Sequence, residues 1–303
     1  MASQQQLRFT IILDVVVPRA HTLSTMKPLA IFITALLLGT PVWATDGIKV
    51  DVELVLAADV STSVGPGERD VQRLGYVDAF RDPAVIAAMT AGRRQRVAVT
   101  YVEWADAAFQ RVVVPWMLID GPESAGQFAD ILESAGIERR GATSISAALI
   151  FSAAQFEANG FHGERLLIDI SGDGANNDGE PVHITRSDVA AQAITINAIP
   201  LFSADSDMTP DQLTAYFQDC VRGGFGSFTY PATTLEDFGP SLRRKMIAEI
   251  SGTPPERIWR ATATTDCLHG ERKLRKDYID QLNDLTNGKS KRWLPDEKTW
   301  PSP

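Results

Sequence analysis

Continuous apolar runs alternate along this chain with segments in which apolar residues recur every three or four positions. Runs typical of strands buried in a sheet cover residues 50–59, 96–104, 109–118, 165–171 and 194–202. Helices are predicted at residues 68–80, 124–135, 146–156, 186–193, 209–221 and 235–250. This alternation over residues 48–251 predicts an α/β domain with a doubly wound, mostly parallel sheet and helices on both faces.

The second and third strands are separated only by Ala105–Ala108, so we predict that they form an antiparallel hairpin. The third strand then lies at the edge of the sheet, where Pro115 is tolerated because an edge strand can lack one N–H group. A last short strand is predicted at residues 227–230. The helical spacing directs two sets of residues toward the core: Val71, Leu74, Val77 and Phe80, and Phe128, Ile131 and Leu132.

The two ends of the chain differ from this domain. Residues 26–44 combine a basic start, an apolar run and a small residue at Ala44, which is the order of a cleaved signal peptide. We therefore expect residues 1–25 to be a mis-annotated extension, and the mature protein to be periplasmic or secreted without a membrane span. An uncleaved anchor or a buried N-terminal strand is the alternative. Residues 252–303 are predicted to be a partly helical or disordered extension, with one charged helix within 268–288.

The composition is that of a globular protein, with 44% hydrophobic and 22% charged residues among 303. A formal net charge of -9 argues against nucleic-acid binding, since phosphate contacts require clustered Lys and Arg. Export changes the interpretation of the two cysteines, because an oxidising compartment favours a disulfide bond. We predict that Cys220 and Cys267 pair with each other.

Oxygen-bearing side chains follow two predicted strands and precede one predicted helix. Asp59, Ser61 and Ser63 come after the first strand, Thr143 before a helix, and Asp173 after the fourth strand. Because the carboxyl ends of parallel strands share one edge of a sheet, these residues can converge there. Two carboxylates and three hydroxyls suit a hard cation such as Mg²⁺ or Mn²⁺. Asp-x-Ser-x-Ser alone would equally suit a helix cap without metal.

This set resembles the metal-ion-dependent adhesion site (MIDAS) of the von Willebrand factor type A (VWA) domain, and the chain is similar to exported bacterial members of that family. The resemblance covers about residues 48–251 and rests on Asp59-x-Ser61-x-Ser63, Gly141-Ala142-Thr143 and Gly172-Asp173-Gly174. It implies a Rossmann-like fold in which the serines and the threonine coordinate Mg²⁺ or Mn²⁺. It also implies that the aspartates act directly or through water, and that a partner's carboxylate completes the shell. Gly172 stands where Thr is usual, and Ala142 where a second Gly is common.

Neighbouring polar residues have two interpretations each. Asn176, Asn177 and Asp178 either line the rim of the site or form a turn. Glu103 and Trp104, at the end of the second strand, either approach the site or only shape the hairpin turn.

These observations favour a non-enzymatic module that captures an acidic group of a protein partner through the cation; the sequence does not indicate an oligomeric state. The alternative is a metal-dependent hydrolase of phosphate esters, favoured by the acidic loop 173–178 but lacking a recognisable general base or second-metal cluster. A scaffold whose metal is purely structural is a third interpretation. A serine hydrolase is disfavoured, because Ser61 and Ser63 have no His nearby in sequence and Gly-x-Ser-x-Gly is absent.

Overall fold

In this computed structural model, residues 47–136, 138, 140–202, 206–232, 234–254 and 265–286 are described. The predicted extension 1–25 and signal peptide 26–44 lie outside these ranges. Within them, no helix is both long and apolar enough to cross a membrane.

Five strands form one sheet in the order β3-β2-β1-β4-β5. They are β1 (Ile48–Asp59), β2 (Val97–Trp104), β3 (Gln110–Ile119), β4 (Phe161–Gly172) and β5 (Ile194–Pro200). All neighbours are parallel except β2 and β3, which confirms the predicted mostly parallel sheet with one antiparallel edge strand. Pro115 lies in β3 where the pairing with β2 shifts register, a bulge that accommodates its missing N–H group.

β1 lies at the centre of the sheet because its side chains are buried on both faces. Leu54 and Leu56 belong to the apolar cluster on one face, whereas Val55 and Ala57 belong to the cluster on the other. Fully burying a side chain of leucine or valine size contributes about 1.5–3 kcal/mol. β1 therefore joins both halves of the core and ends with Asp59 at the carboxyl edge of the sheet.

Helices cover both faces, as predicted. They are α1 (Pro66–Arg81), α2 (Pro83–Thr90), α3 (Pro122–Ser134), α4 (Ile145–Ala154), α5 (Val182–Ala190), α6 (Pro210–Tyr216), α7 (Leu235–Ser251) and α8 (His269–Thr286), with a π-helical turn at Phe217–Val221. Apolar residues of α1, α2, α3 and α7 join the cluster that contains Leu54. Those of α4, α5 and α6 join the cluster that contains Val55.

Two residues that were predicted to lie in the core face solvent instead. Leu74 is 48% exposed and Ile131 is 41% exposed. α1 is rotated relative to the prediction because Arg73 turns inward to bond the buried Glu103, and Phe80 stacks on a ring of α3. A buried ion pair thus decides which face of the helix is inside, and apolar spacing alone does not indicate that.

The sequence pattern does not predict α2, and it predicts a start for α5 that lies further along the chain than the observed one. α2 is apolar along almost its whole length and so has no distinct apolar stripe, yet Asp82 begins it by accepting hydrogen bonds from two backbone N–H groups. α5 begins at Val182, directly after Pro181, rather than at residue 186.

The strand predicted at residues 227–230 is wrong. This segment makes only an isolated bridge with β5, between Thr229 and Ala198. Gly224 and Gly226, just before it, adopt left-handed backbone angles with φ of 86° and 70°. These turns interrupt the extended conformation that a sixth strand would need.

The predicted disulfide is present, with a Cα–Cα distance of 5.4 Å between Cys220 and Cys267. Cys220 is fully buried in the π-helical turn, and Cys267 precedes α8 by two residues. α8 confirms the helix predicted in the C-terminal extension. The disulfide therefore ties the start of α8 to the domain.

We expect the double variant Cys220→Ser/Cys267→Ser to release α8. The bond closes a segment with a sequence separation of 47, for which chain entropy predicts a loss of about 4 kcal/mol of stability. Hydrogen exchange should show faster exchange over α8 with β1 and β4 still protected. The reduced wild-type protein should behave like the variant. Unchanged protection of α8 in the variant would show that its side-chain contacts suffice.

Candidate metal site

The turn after β1 is fixed by hydrogen bonds before any ligand is considered. The Ser61 backbone N–H donates to Asp59 Oδ1 at 2.7 Å, and Gln72 donates to the Asp59 carbonyl oxygen at 3.2 Å. The Val60 N–H donates to the Trp104 carbonyl oxygen at the end of β2. Asp59 and Ser61 are consequently fully buried and held rigidly at the sheet edge.

The loop after β4 positions Thr143. The Thr143 N–H donates to the side-chain oxygen of Asn177, and the Asn177 N–H donates back to the Thr143 carbonyl oxygen, both at 2.9 Å. Asn176 accepts from the Ser146 N–H at the start of α4, and Asp178 accepts from the Ala107 N–H. These three residues therefore brace the loops; only Asn177 also lines the cavity described below.

The five predicted ligands converge in one connected group. Thr143 Oγ1 lies 3.3 Å from Ser61 Oγ, which lies 3.0 Å from Ser63 Oγ. Ser63 donates to Asp173 Oδ1 at 2.8 Å. Asp59 is linked to this group because it accepts a hydrogen bond from the Ser61 backbone N–H. Residues separated by up to 110 positions are thus within contact distance, as the shared sheet edge predicts.

One oxygen of each carboxylate has no hydrogen-bond partner. Asp59 Oδ2 and Asp173 Oδ2 are both buried and unpaired. Burial and, second, the charge of Asp173 raise the pKa of Asp59 well above its usual value. Burial raises the pKa of Asp173 to about 6. Unpaired buried carboxylates are costly, and a cation in contact with them would satisfy both oxygens.

Gly172, a departure from the usual VWA pattern, keeps space clear for Asp59. A Cβ atom on Gly172 would lie 3.0 Å from Asp59 Oδ2 and 3.3 Å from the Trp104 ring. The Trp104 ring thus packs beside Gly172, next to the site. Glu103 does not line the site, because it pairs with Arg73 and Arg111.

A cavity of about 270 Å³ opens above these residues, and α8 forms its opposite wall. Lys273 Nζ lies 2.7 Å and His269 Nε2 lies 3.3 Å from Asp207 Oδ2 beside the site. Gly270 packs so closely that a Cβ there would lie 2.1 Å from the Asn176 carbonyl oxygen. The sequence predicts this helix and, through the disulfide, its attachment beside Cys220, but it gives no signal that the helix lies against the candidate site, where its contacts are single polar ones.

The site differs in its chemistry from clusters of histidine, cysteine and carboxylate. Among the described residues, no group of three or more His, Cys, Asp or Glu side chains could hold a metal. Three hydroxyls with two carboxylates are therefore the donor set to consider, and they fit a hard cation.

The sheet order, the antiparallel edge strand and the convergence at the carboxyl edge define a VWA-like domain, as the sequence predicts. The chain belongs to the family described as "Protein of unknown function (DUF1194)", whose model matches residues 49–254. A search of the curated proteins finds no match.

Several solved structures are similar in fold. Proximal thread matrix protein 1 from the mussel byssus aligns with a TM-score of 0.48 and 13% identity, covering 68% of this chain and 49% of that one. A second structure of that protein, 14% identical with the same TM-score and coverage, is described as having a zinc-occupied MIDAS motif. A von Willebrand factor type A protein from Catenulispora acidiphila aligns at 0.45 with 14% identity, covering 67% and 43%. This chain thus spans about half the length of the mussel protein.

Proposed function

We propose that this chain is an exported, periplasmic or secreted binding module that captures a carboxylate of a protein partner through a divalent cation. Asp59, Ser61, Ser63, Thr143 and Asp173 would hold the cation. The observation that carries the proposal is the pair of unpaired, buried carboxylate oxygens beside three hydroxyls, in a group of which Ser63, Thr143 and Asp173 line a cavity.

The donor set supports Mg²⁺ or Mn²⁺, because hydroxyl and carboxylate oxygens match hard cations. A bound cation would supply a positive centre that accepts an anionic oxygen. The neutral hydroxyls of Ser61, Ser63 and Thr143 would orient that centre without cancelling its charge. Direct contact with both Asp59 and Asp173 would neutralise it, whereas a carboxylate that acts through water would leave more of its positive charge exposed. The site thus favours one further anionic ligand.

The shape of the cavity supports a side chain as that ligand. At about 270 Å³ the cavity lies just below the range of about 300–1,000 Å³ typical of small-molecule sites. α8 lines one wall of the cavity and places Lys273 and His269 there, where they contact Asp207.

We expect the immobilised chain to retain an envelope protein in MgCl₂ and to release it in EDTA. A parallel column of Asp173→Ala should retain none, whereas Asp78→Ala, which changes an exposed carboxylate of α1, should behave like the wild type. Amidation of the carboxylates of the envelope proteins should abolish capture.

Capture that persists in EDTA or on the Asp173→Ala column would contradict the proposal. Turnover of nitrophenyl phosphate that is lost on chelation would favour the phosphate-ester hydrolase instead. Equal stability with and without metal, together with no captured partner, would indicate a scaffold.

A further inference from the structure

A cluster of three charged side chains is buried between α7 and the middle of β4. Lys245 Nζ lies 2.5 Å from Asp169 Oδ1 and 2.7 Å from Glu249 Oε2. All three side chains are 0% exposed. The cluster is on the opposite face of the sheet from α4, and none of its members belongs to the candidate metal site.

Polar groups of neighbouring strands surround the cluster, and Arg165 donates a hydrogen bond to the Glu249 carbonyl oxygen at 2.7 Å. In the sheet register, Asp169 lies between Leu56 of β1 and Asn197 of β5. Asn197 donates a hydrogen bond to Glu249 Oε2 at 3.1 Å. If all three groups were ionised, one cation and two carboxylates would leave a net negative charge with no access to water, which is unfavourable.

The contact between Lys245 and Asp169 is close but is not a hydrogen bond. Neither oxygen of Asp169 accepts a hydrogen bond, although the lysine nitrogen lies 2.5 Å from Oδ1. Lys245 also donates a hydrogen bond to Glu249 Oε2 at 2.7 Å, so the amine nitrogen is held beside the Asp169 carboxyl group.

We propose that Lys245 and Asp169 condense to an intramolecular amide bond, with Glu249 carrying the protons. The lysine nitrogen forms a bond to Asp169 Cγ, and one Cγ–O bond breaks. Two protons from the ammonium group leave with that oxygen as one molecule of water, and Glu249 returns to its starting state. No atom is oxidised or reduced, so the reaction needs no other reactant.

Glu249 is positioned to transfer these protons. Burial and, second, the charge of Asp169 raise the pKa of Glu249 to about 8. At neutral pH its carboxyl group is therefore mostly protonated and can donate to an Asp169 oxygen while it accepts a proton from the amine. The fold holds the reacting groups together, which replaces an encounter between separate molecules.

With Glu249 protonated, the product also removes the two charges that remain in the cluster. Condensation converts a buried ammonium and a buried carboxylate into a neutral amide, and the protonated Glu249 remains neutral beside it. Water excluded from this core cannot readily reverse the reaction. The bond would fix α7 covalently to the centre of the sheet, across the segment from residue 169 to residue 245.

The test is the intact mass of the purified full chain, denatured and with its disulfide reduced. We expect a mass lower by one water than the sequence between the chain ends identified by peptide mapping. The digest should contain a β4 peptide joined to an α7 peptide through Asp169 and Lys245. Lys245→Arg and Glu249→Gln should each have the full mass, whereas Lys276→Arg, which changes an exposed lysine of α8, should retain the loss of water.

A wild-type chain of full mass, or a loss of water mapped to other residues, overturns the proposal. This measurement is made on the wild-type protein, so it remains decisive if a variant of the cluster fails to fold. Cross-linked Glu249→Gln would overturn the role of Glu249.

Discussion

Replacing Asp173 with alanine is expected to abolish binding of Mg²⁺ and Mn²⁺, and Asp59→Ala is expected to do the same. Each change removes one of the two buried carboxylates that have an unpaired oxygen, and the charge of Asp173 acts on Asp59. Loss of a residue that only supports a metal ligand already costs about 10–100-fold in affinity, so we expect a loss of at least about 100-fold here. Isothermal titration calorimetry of the mature chain with each metal measures this loss of affinity.

The control for this prediction is stability without metal. The folded-state pKa of Asp173, about 6, lies above the usual 3.8, so the folded state holds a proton that the unfolded state releases between these values. This group therefore lowers the stability of the metal-free protein as pH rises from about 4 through about 6. Asp173→Ala lacks this group and should be no less stable than the wild type at pH 7, with any advantage shrinking at pH 5.

Adding metal should make the wild type more stable than Asp173→Ala. At a free concentration about 100 times its dissociation constant, a cation that binds only the folded state adds about 2.7 kcal/mol to the wild type. Asp173→Ala should gain nothing, and Asp78→Ala should gain as much as the wild type. Equal gains in all three proteins, or unchanged calorimetric affinity in Asp173→Ala, would exclude Asp173 as a ligand.

The convergence of the candidate site could be predicted from sequence because it depends on topology. Asp59 and Asp173 follow adjacent parallel strands, and strands of this type end at one edge of the sheet. The bracing by Asn176 and Asn177 could not be predicted, since each amide could equally have faced solvent in a turn. The wall formed by α8 depends on one disulfide and a few polar contacts, which have no periodic signal.

Buried charged side chains are a second feature that sequence patterns do not predict. Lys245 and Glu249 are four residues apart on α7, a spacing that normally indicates an exposed helix pair. Arg73 lies on α1 next to Leu74, and the apolar spacing predicted that the leucine, not the arginine, would be inside. In both cases a carboxylate on a strand decides the orientation of the helix, and only the assembled sheet reveals that partner.

Removal of the carboxylate that orients α1 tests this view. Glu103→Ala is expected to lower the free energy of unfolding by about 3–5 kcal/mol, the cost of leaving a buried charge without its partner. The Arg73 side chain is only 6% exposed, and its other hydrogen bond is to the Ala135 carbonyl oxygen. Arg111 can still pair with Glu138. Urea denaturation monitored by circular dichroism measures the loss.

Glu138→Ala is the matched control for Glu103→Ala. Glu138 is also a glutamate that contacts Arg111, but its side chain is 46% exposed and its partners Arg111 and Arg140 are accessible to water. Exposed pairs contribute only about 0–1 kcal/mol, so this variant should resemble the wild type. If both variants lowered the free energy of unfolding by the same small amount, the pair of Arg73 and Glu103 would not fix the orientation of α1. The inward position of Arg73 would then be attributed to the packing of Tyr76 and Phe80 alone. A large loss in Glu103→Ala only would show that one buried ion pair sets the rotation of the helix that follows the candidate metal site.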